Sequence, residues 1–177
     1  MSGFAMQAMR NTRPASGADH LFSHLWEMQD LQDENGLPIS HGFKVAIGTL
    51  ASTALMEVVF SKNIAQLDVR AVCDRWESWE ERKAKIQAAF RNTPIVDQVI
   101  TVCKEKYLST HQLQERLQLL ITHWEELKQK VLKQLIPYNE LRNMFLTADC
   151  PVKPEQIHLS RERFRQTFFQ AQMIRKR

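Results

Sequence analysis

The sequence predicts an all-α protein, a multi-helical bundle, and three observations carry that expectation. Glycine and proline are scarce, at 5 and 6 of 177 residues. Leu, Gln, Glu, Lys, Arg and Ala dominate, and these are the strong helix formers. Apolar residues recur three and four apart over long stretches, which is helical spacing rather than the alternation of a half-buried strand. With 177 residues, 44% of them hydrophobic, the chain can bury one substantial core and is short for two well-separated ones, so a single helical domain over residues 1–177 is expected.

Residues 2–10 carry a helical pattern that starts at Met1 without a capping residue, as expected of a piece of something longer. Arg13-Pro14-Ala15-Ser16-Gly17 breaks the pattern, because Pro and Gly both disfavour helix continuation. A second helix is expected over residues 18–31, followed by a loop with the turn sequence Asn35-Gly36-Leu37-Pro38. Residues 41–61 read as a third helix, apolar on nearly every side, and such a helix belongs in the middle of a domain. Asp68 is placed to cap a short helix through Cys73 and Trp76, Ser78 another to Phe90, and Thr93-Pro94 opens a further one to Tyr107.

Residues 110–135 are expected to form the longest helix, with Leu113, Leu117, Leu120, Trp124, Leu127 and Val131 at alternating spacings of four and three. Inside a globular chain such a stripe points to packing on neighbouring helices more than to a coiled-coil dimer. Pro137 ends this helix, a shorter one begins at Asn139 or Glu140 and reaches Leu146, and Cys150-Pro151-Val152-Lys153-Pro154 forms a rigid link. The last helix is expected over residues 160–174.

The net charge of +4 arises from 24 basic and 20 acidic residues spread along the chain. Only Arg161, Arg163, Arg165, Arg175, Lys176 and Arg177 form a locally basic tail, and a solvated helix end explains it without a nucleic-acid partner. Cys73, Cys103 and Cys150 are an odd number without metal-type spacing and read as unpaired thiols of a reducing compartment. There is no basic start followed by an apolar signal core, and no uninterrupted apolar run of about 18 residues. A soluble, cytoplasmic protein without a membrane partner is expected.

One region rises above a generic helical reading. His20 and His24 stand at i and i+4 of one helix and face the same side. His41 opens the next helix, where a short connection would fold it back toward His20. Imidazoles converging from two helices are a means of ligating a divalent metal, although such pairs also occur on solvated faces.

The literal residues are more specific than the spacing. Gly17-Ala18-Asp19-His20-Leu21-Phe22-Ser23-His24, followed by His41-Gly42, resembles the GxxHxxxH and HG pair of the dehydroquinate synthase-like and iron-containing alcohol dehydrogenase superfamily. The approach Arg13-Pro14-Ala15-Ser16-Gly17 and the run Val45-Ala46-Ile47-Gly48-Thr49 look most like its glycerol-1-phosphate dehydrogenase branch. The distinctive match covers about the first sixty residues. Beyond it, a succession of helices is all that the chain and the family share.

The resemblance implies a helical C-terminal half that binds a catalytic metal beside a Rossmann-like half that binds NAD(P). It assigns His20 and His41 as metal ligands, and the carboxylate ligand of the family matches no position in this chain. A catalytic site normally has three protein ligands and an open position, so the implied site is incomplete. His24 corresponds to an imidazole that stands beside the substrate in relatives, where it hydrogen-bonds or relays a proton to a substrate hydroxyl; otherwise it is a solvent-facing histidine. Arg13 falls at a substrate-binding arginine of the synthase relatives, and its guanidinium fork suits a phosphate; otherwise it is a surface residue at a helix end.

Two departures from the family pattern stand out. Where many relatives read HGE this chain has His41-Gly42-Phe43, so any supporting role of that Glu is lost or moved to another group. Lys44 follows, either a substrate-site cation or a solvated lysine near a helix start. Asp19, where relatives often carry Glu, either orients the His20 ring or is an ordinary first-turn acid.

The implied chemistry is hydride exchange between NAD(P)H and dihydroxyacetone phosphate, a small phosphorylated substrate, giving glycerol 1-phosphate. Imidazole suits zinc, the leading choice, and also nickel and iron. No GxGxxG follows a strand and no βαβ alternation is present, so NAD(P) binding requires a nucleotide domain that this chain lacks. The complete assembly is then a homo-oligomer or includes a partner chain that brings this domain. The competing class is a non-catalytic helical oligomerisation or interaction module derived from the same fold.

Overall fold

A computed structural model describes residues 17–91 and 93–174. The helix expected over residues 2–10, Arg13, and the terminal Arg175, Lys176 and Arg177 lie outside the described residues. Among the described residues the fold is all-α, as expected. Its helices are α1 (Ala18–Met28), α2 (His41–Phe60), α3 (Val69–Asp74), α4 (Trp79–Ala89), α5 (Val96–Lys106), α6 (Thr110–Thr122), α7 (Trp124–Leu132), α8 (Tyr138–Thr147) and α9 (Arg161–Ala171), with a 3-10 turn at Pro154–Ile157. Their contacts group residues 17–57 with 136–172 in one compact unit, and residues 58–135 with 173–174 in another.

The first unit is organised around Trp26, which is fully buried among Phe22, Leu31, Ile47, Ala51, Ile157 and Leu159. Its indole N–H needs a partner once it leaves water, and it donates to Thr167 Oγ1 at 2.9 Å. The Thr167 hydroxyl donates onward to the Arg163 carbonyl at 2.9 Å, so the buried polar chain is closed. Phe168 packs edge-on against both Phe22 and Phe164, at centroid distances of 5.0 and 5.4 Å. Arg163 is no part of a free basic tail. Its guanidinium donates to Gln29 Oε1 and to the Gln29 carbonyl at 3.1 and 3.2 Å, fastening α9 to the end of α1, and burial lowers its pKa.

The second unit is built on local caps and aromatic contacts. Ser78 and Glu81 form a reciprocal capping box at the start of α4, and Ser109 and Gln112 form another at the start of α6. Asp68 accepts from the Ala71 N–H and caps α3. Ile86, Phe90, Val99 and Val102 are buried between α4 and α5. Trp76 stacks on Tyr107 while its indole donates to the Leu108 carbonyl, and Lys104 sits 4.5 Å above the Trp79 ring. The three cysteines are unpaired, and burial pushes the Cys103 thiol upward.

Several sequence expectations need correction. The expected helix over residues 110–135 is interrupted at His123, whose backbone (φ −105, ψ 10) leaves the helical region. Thr122 turns its hydroxyl back onto the Gln118 carbonyl, a bond that bends helices. The next residue, Trp124, stacks flat on Phe60 and donates to the Lys62 carbonyl. The start expected at Thr93-Pro94 moves to Val96, because the Thr93 hydroxyl bonds the Phe90 carbonyl instead of capping.

The longest helix is α2, with 20 residues. By length and composition it could cross a membrane, which a search for uninterrupted apolar runs misses because Lys44 and several Ser and Thr residues break the run. It is also not buried all round. Ala46, Ile47, Leu50 and Ala51 are covered, while Phe43, Leu55, Met56, Val58 and Val59 are exposed. A uniformly apolar helix carries no phase, so its sequence cannot say which face the neighbours cover.

Two substitutions separate core from cap. Trp26→Ala is expected to cost about 3–5 kcal/mol through the cavity and the lost indole bond, and Ser78→Ala about 1 kcal/mol through the capping box alone. Urea unfolding followed by circular dichroism measures both, and equal costs would contradict this account of the two units.

Candidate metal centre

The site is built where α1 meets the first turns of α2. His20, His24 and Glu27 stand at i, i+4 and i+7 of α1 and share one face. The connection to α2 is a tight, internally bonded loop. Asp33 Oδ1 accepts from the N–H groups of Asn35 and Leu37, Gly36 takes the left-handed conformation (φ 76), and the Ile39 N–H donates to the Leu31 carbonyl. This loop returns the chain so that His41 lies beside the α1 histidines.

Gly48 sets how closely the two helices approach. A Cβ at this position would lie 2.5 Å from the Asp19 carbonyl oxygen and 3.2 Å from Phe22 Cβ. Real side chains do not tolerate the first distance, so glycine is required by this crossing. Gly42, six residues nearer the start of α2, has open space around it.

The three imidazoles come together. Ring centroids of His20 and His41 are 5.6 Å apart, those of His20 and His24 are 6.0 Å apart, and those of His24 and His41 are 6.2 Å apart. Each ring meets a carboxylate at Nδ1. His20 Nδ1 lies 2.9 Å from Asp19 Oδ2, His41 Nδ1 2.7 Å from Glu27 Oε1, and His24 Nδ1 3.2 Å from Glu27 Oε2. An Nδ1–H donated to a carboxylate fixes the tautomer that leaves the Nε2 lone pair free, the arrangement common behind metal-binding histidines. Among the described residues, no three His, Cys, Asp or Glu side chains already stand at a common metal-binding point.

Glu27 is the residue that sequence reasoning missed. Its carboxylate also accepts from the fully buried Ser23 hydroxyl at 3.2 Å and pairs with Lys44 Nζ at 3.2 Å. Partial burial pushes the Glu27 pKa upward, but hydrogen bonds from His41, His24 and Lys44, with the Lys44 charge, outweigh it and hold the value at about 2. The available signal was its helical register with His20 and His24. Glu27 supplies a carboxylate to His41 in a chain that lacks the glutamate of the HGE pattern.

The remaining expected site residues divide. Asp19 bonds the His20 ring, so it is more than a first-turn acid. Lys44 is 5% exposed and ion-paired, which corrects the reading of it as a solvated lysine. The His24 side chain is 45% exposed, open to a ligand on its outer side. Arg13 is outside the described residues.

Comparison with known proteins finds relatives that match part of the chain. A glycerol-1-phosphate dehydrogenase (NAD(P)+) of Halalkalibacterium halodurans is 42% identical over 64 residues, 36% of this chain and 16% of its own length. That of Korarchaeum cryptofilum is 48% identical over 50 residues, 28% of this chain and 15% of its own. That of Geobacillus stearothermophilus is 31% identical over 104 residues, 57% of this chain and 26% of its own. The chain is similar to a segment of the glycerol-1-phosphate dehydrogenases. The resemblance read from the histidine motifs is thereby borne out, and the matched stretches span about a sixth to a quarter of these curated relatives. No family model matches the sequence. No solved structure matches it either.

The close crossing of α1 and α2 is tested by its glycines. Gly48→Ala is expected to destabilise the protein by about 1–3 kcal/mol through overpacking against the Asp19 carbonyl. Gly42→Ala, with nothing to meet, is expected to be neutral or slightly stabilising. Thermal unfolding of the two variants compares them directly, and a harmless Gly48→Ala would disprove the close crossing.

Proposed function

We propose that this chain is the helical, metal- and substrate-binding portion of an NAD(P)-dependent glycerol-1-phosphate dehydrogenase-like oxidoreductase, acting as one functional domain and inactive alone. The observation that carries the reading is the juxtaposition of His20 and His41 from adjacent helices, each with a carboxylate at Nδ1, in a chain similar to such enzymes.

The donor set fits a divalent metal as an incomplete site. Two imidazole Nε2 atoms suit zinc, nickel or iron, and zinc is the first candidate. A bound metal supplies Lewis-acid polarisation of a substrate carbonyl and stabilisation of the alkoxide formed from it. The chain's own residues do the rest of the work on this side of the reaction. Asp19 and Glu27 orient the rings of His20 and His41 and make them better donors. His24, exposed beside them, hydrogen-bonds a substrate hydroxyl and carries its proton. Lys44, after His41 and His24, helps to hold Glu27 ionised and is assigned as a substrate-site cation, and Arg13 is assigned to the substrate phosphate through its fork of donors. Dihydroxyacetone phosphate and glycerol 1-phosphate are the substrate pair this reading takes from the relatives.

Hydride transfer also needs NAD(P) and a third protein ligand, both of which this reading assigns to a nucleotide-binding domain in the same assembly. We place that assembly in the cytoplasm, as a homo-oligomer or with a partner chain. The exposed Leu55, Met56, Val58 and Val59 along α2 favour a second reading, a non-catalytic interaction module, because such a face is suited to association.

Titration with Zn²⁺ or Ni²⁺ tests the proposal. The chain is expected to bind about one equivalent, with affinity reduced at least about tenfold in His20→Ala and in His41→Ala. It is expected to give no dihydroxyacetone phosphate-dependent NADH oxidation alone. Activity should appear on mixing with the nucleotide-binding half of the Halalkalibacterium halodurans relative. Unchanged metal binding in both variants would refute the assignment, and stable oligomers without metal would favour the interaction module.

A further inference from the structure

We infer that the first unit carries a second binding site, a pocket that takes a small uncharged molecule with one aromatic ring. Leu50 and Ala54 line it from α2, Tyr138 from the start of α8, Val152 from the link before the 3-10 turn, and Phe164 and Phe168 from α9. All of these residues belong to the first unit. None of His20, His24 and His41 lines the pocket, so the inference does not depend on the metal reading. The volume is about 140 Å³, and the pocket is half open, so a guest enters without unfolding the unit. An apolar cavity of about 150 Å³ walled by Leu, Ile and Phe stays dry and binds benzene.

The lining selects the class of guest. No lining side chain is charged, and only that of Tyr138 carries a polar atom. A water molecule needs two to four polar partners, and an ion loses its hydration without compensation, so neither suits this space. An apolar ring does. Phe164 and Phe168 stand at 81° to each other with centroids 5.4 Å apart. A guest ring laid against the face of one therefore meets the other edge-on, and both geometries are favoured. The short side chain of Ala54 leaves the room that a longer one on α2 would fill.

Titration of the 177-residue chain with benzene, followed by carbon–proton NMR of its methyl groups, tests this directly. Saturable shifts are expected at Leu50 and Val152, whose methyls would lie beside the guest ring. Benzoate, the same ring with a charge, should bind at least about tenfold more weakly. Ala54→Leu, and the more flexible Ala54→Met, keep a strong helix former and should weaken benzene binding by at least about tenfold, with the thermal midpoint unchanged or raised. His20→Ala and His41→Ala should leave benzene binding as it is, which separates this site from the metal reading. Shifts that do not saturate, or that are as large at the exposed Leu119 and Leu132, would mean surface partition and overturn the proposal. So would unweakened binding in a folded Ala54 variant. Shifts of the Leu50 and Val152 methyls with protein concentration alone would assign the pocket to a second copy of the chain and equally overturn it.

Discussion

The carboxylate of Glu27 is the point on which the site depends. It lies on α1 and gathers two residues of α2, His41 and Lys44, together with His24 and Ser23 of its own helix. Buried and half-buried charges are stable only when paired and hydrogen-bonded, and here one anion meets that need for a lysine that is otherwise removed from water. The same bonds set which nitrogen of the His24 and His41 rings meets a carboxylate, as Asp19 does for His20. The placement of Lys44 and the orientation of two of the three rings thus depend on a single side chain.

The contact that permits this arrangement is steric. Gly48 removes the side chain that would otherwise hold the α1 backbone away at Asp19, and the bonded loop between Asp33 and Leu37 limits how the second helix can start. An anion and three imidazoles in register on the sequence do not make a site by themselves. They do so when a tight helix crossing and a short, ordered connection bring the two sequence segments into one place.

Much of this was legible from the residues. The helical class followed from composition and spacing, and the caps at Asp68 and Ser78 from single side chains next to helical patterns. His20 and His41 stood out because their neighbours resemble a known pattern. Glu27 did not, since a glutamate on a helix is usually solvated and only its three-dimensional partners distinguish it. The break at His123 and the late start of α5 were illegible for a related reason. Each depends on where a threonine hydroxyl turns, a choice made by local competition between backbone acceptors and not by apolar periodicity.

The clasp of Arg163 on Gln29 joins residues 134 positions apart in sequence. The first unit therefore consists of two stretches of chain that flank residues 58–135 of the second. During synthesis, residues 58–135 leave the ribosome before the stretch that covers Trp26, and α1 and α2 must wait, half-clothed, for the last helix. A chain shortened before Leu159 would keep every histidine of the site and lose the wall behind it.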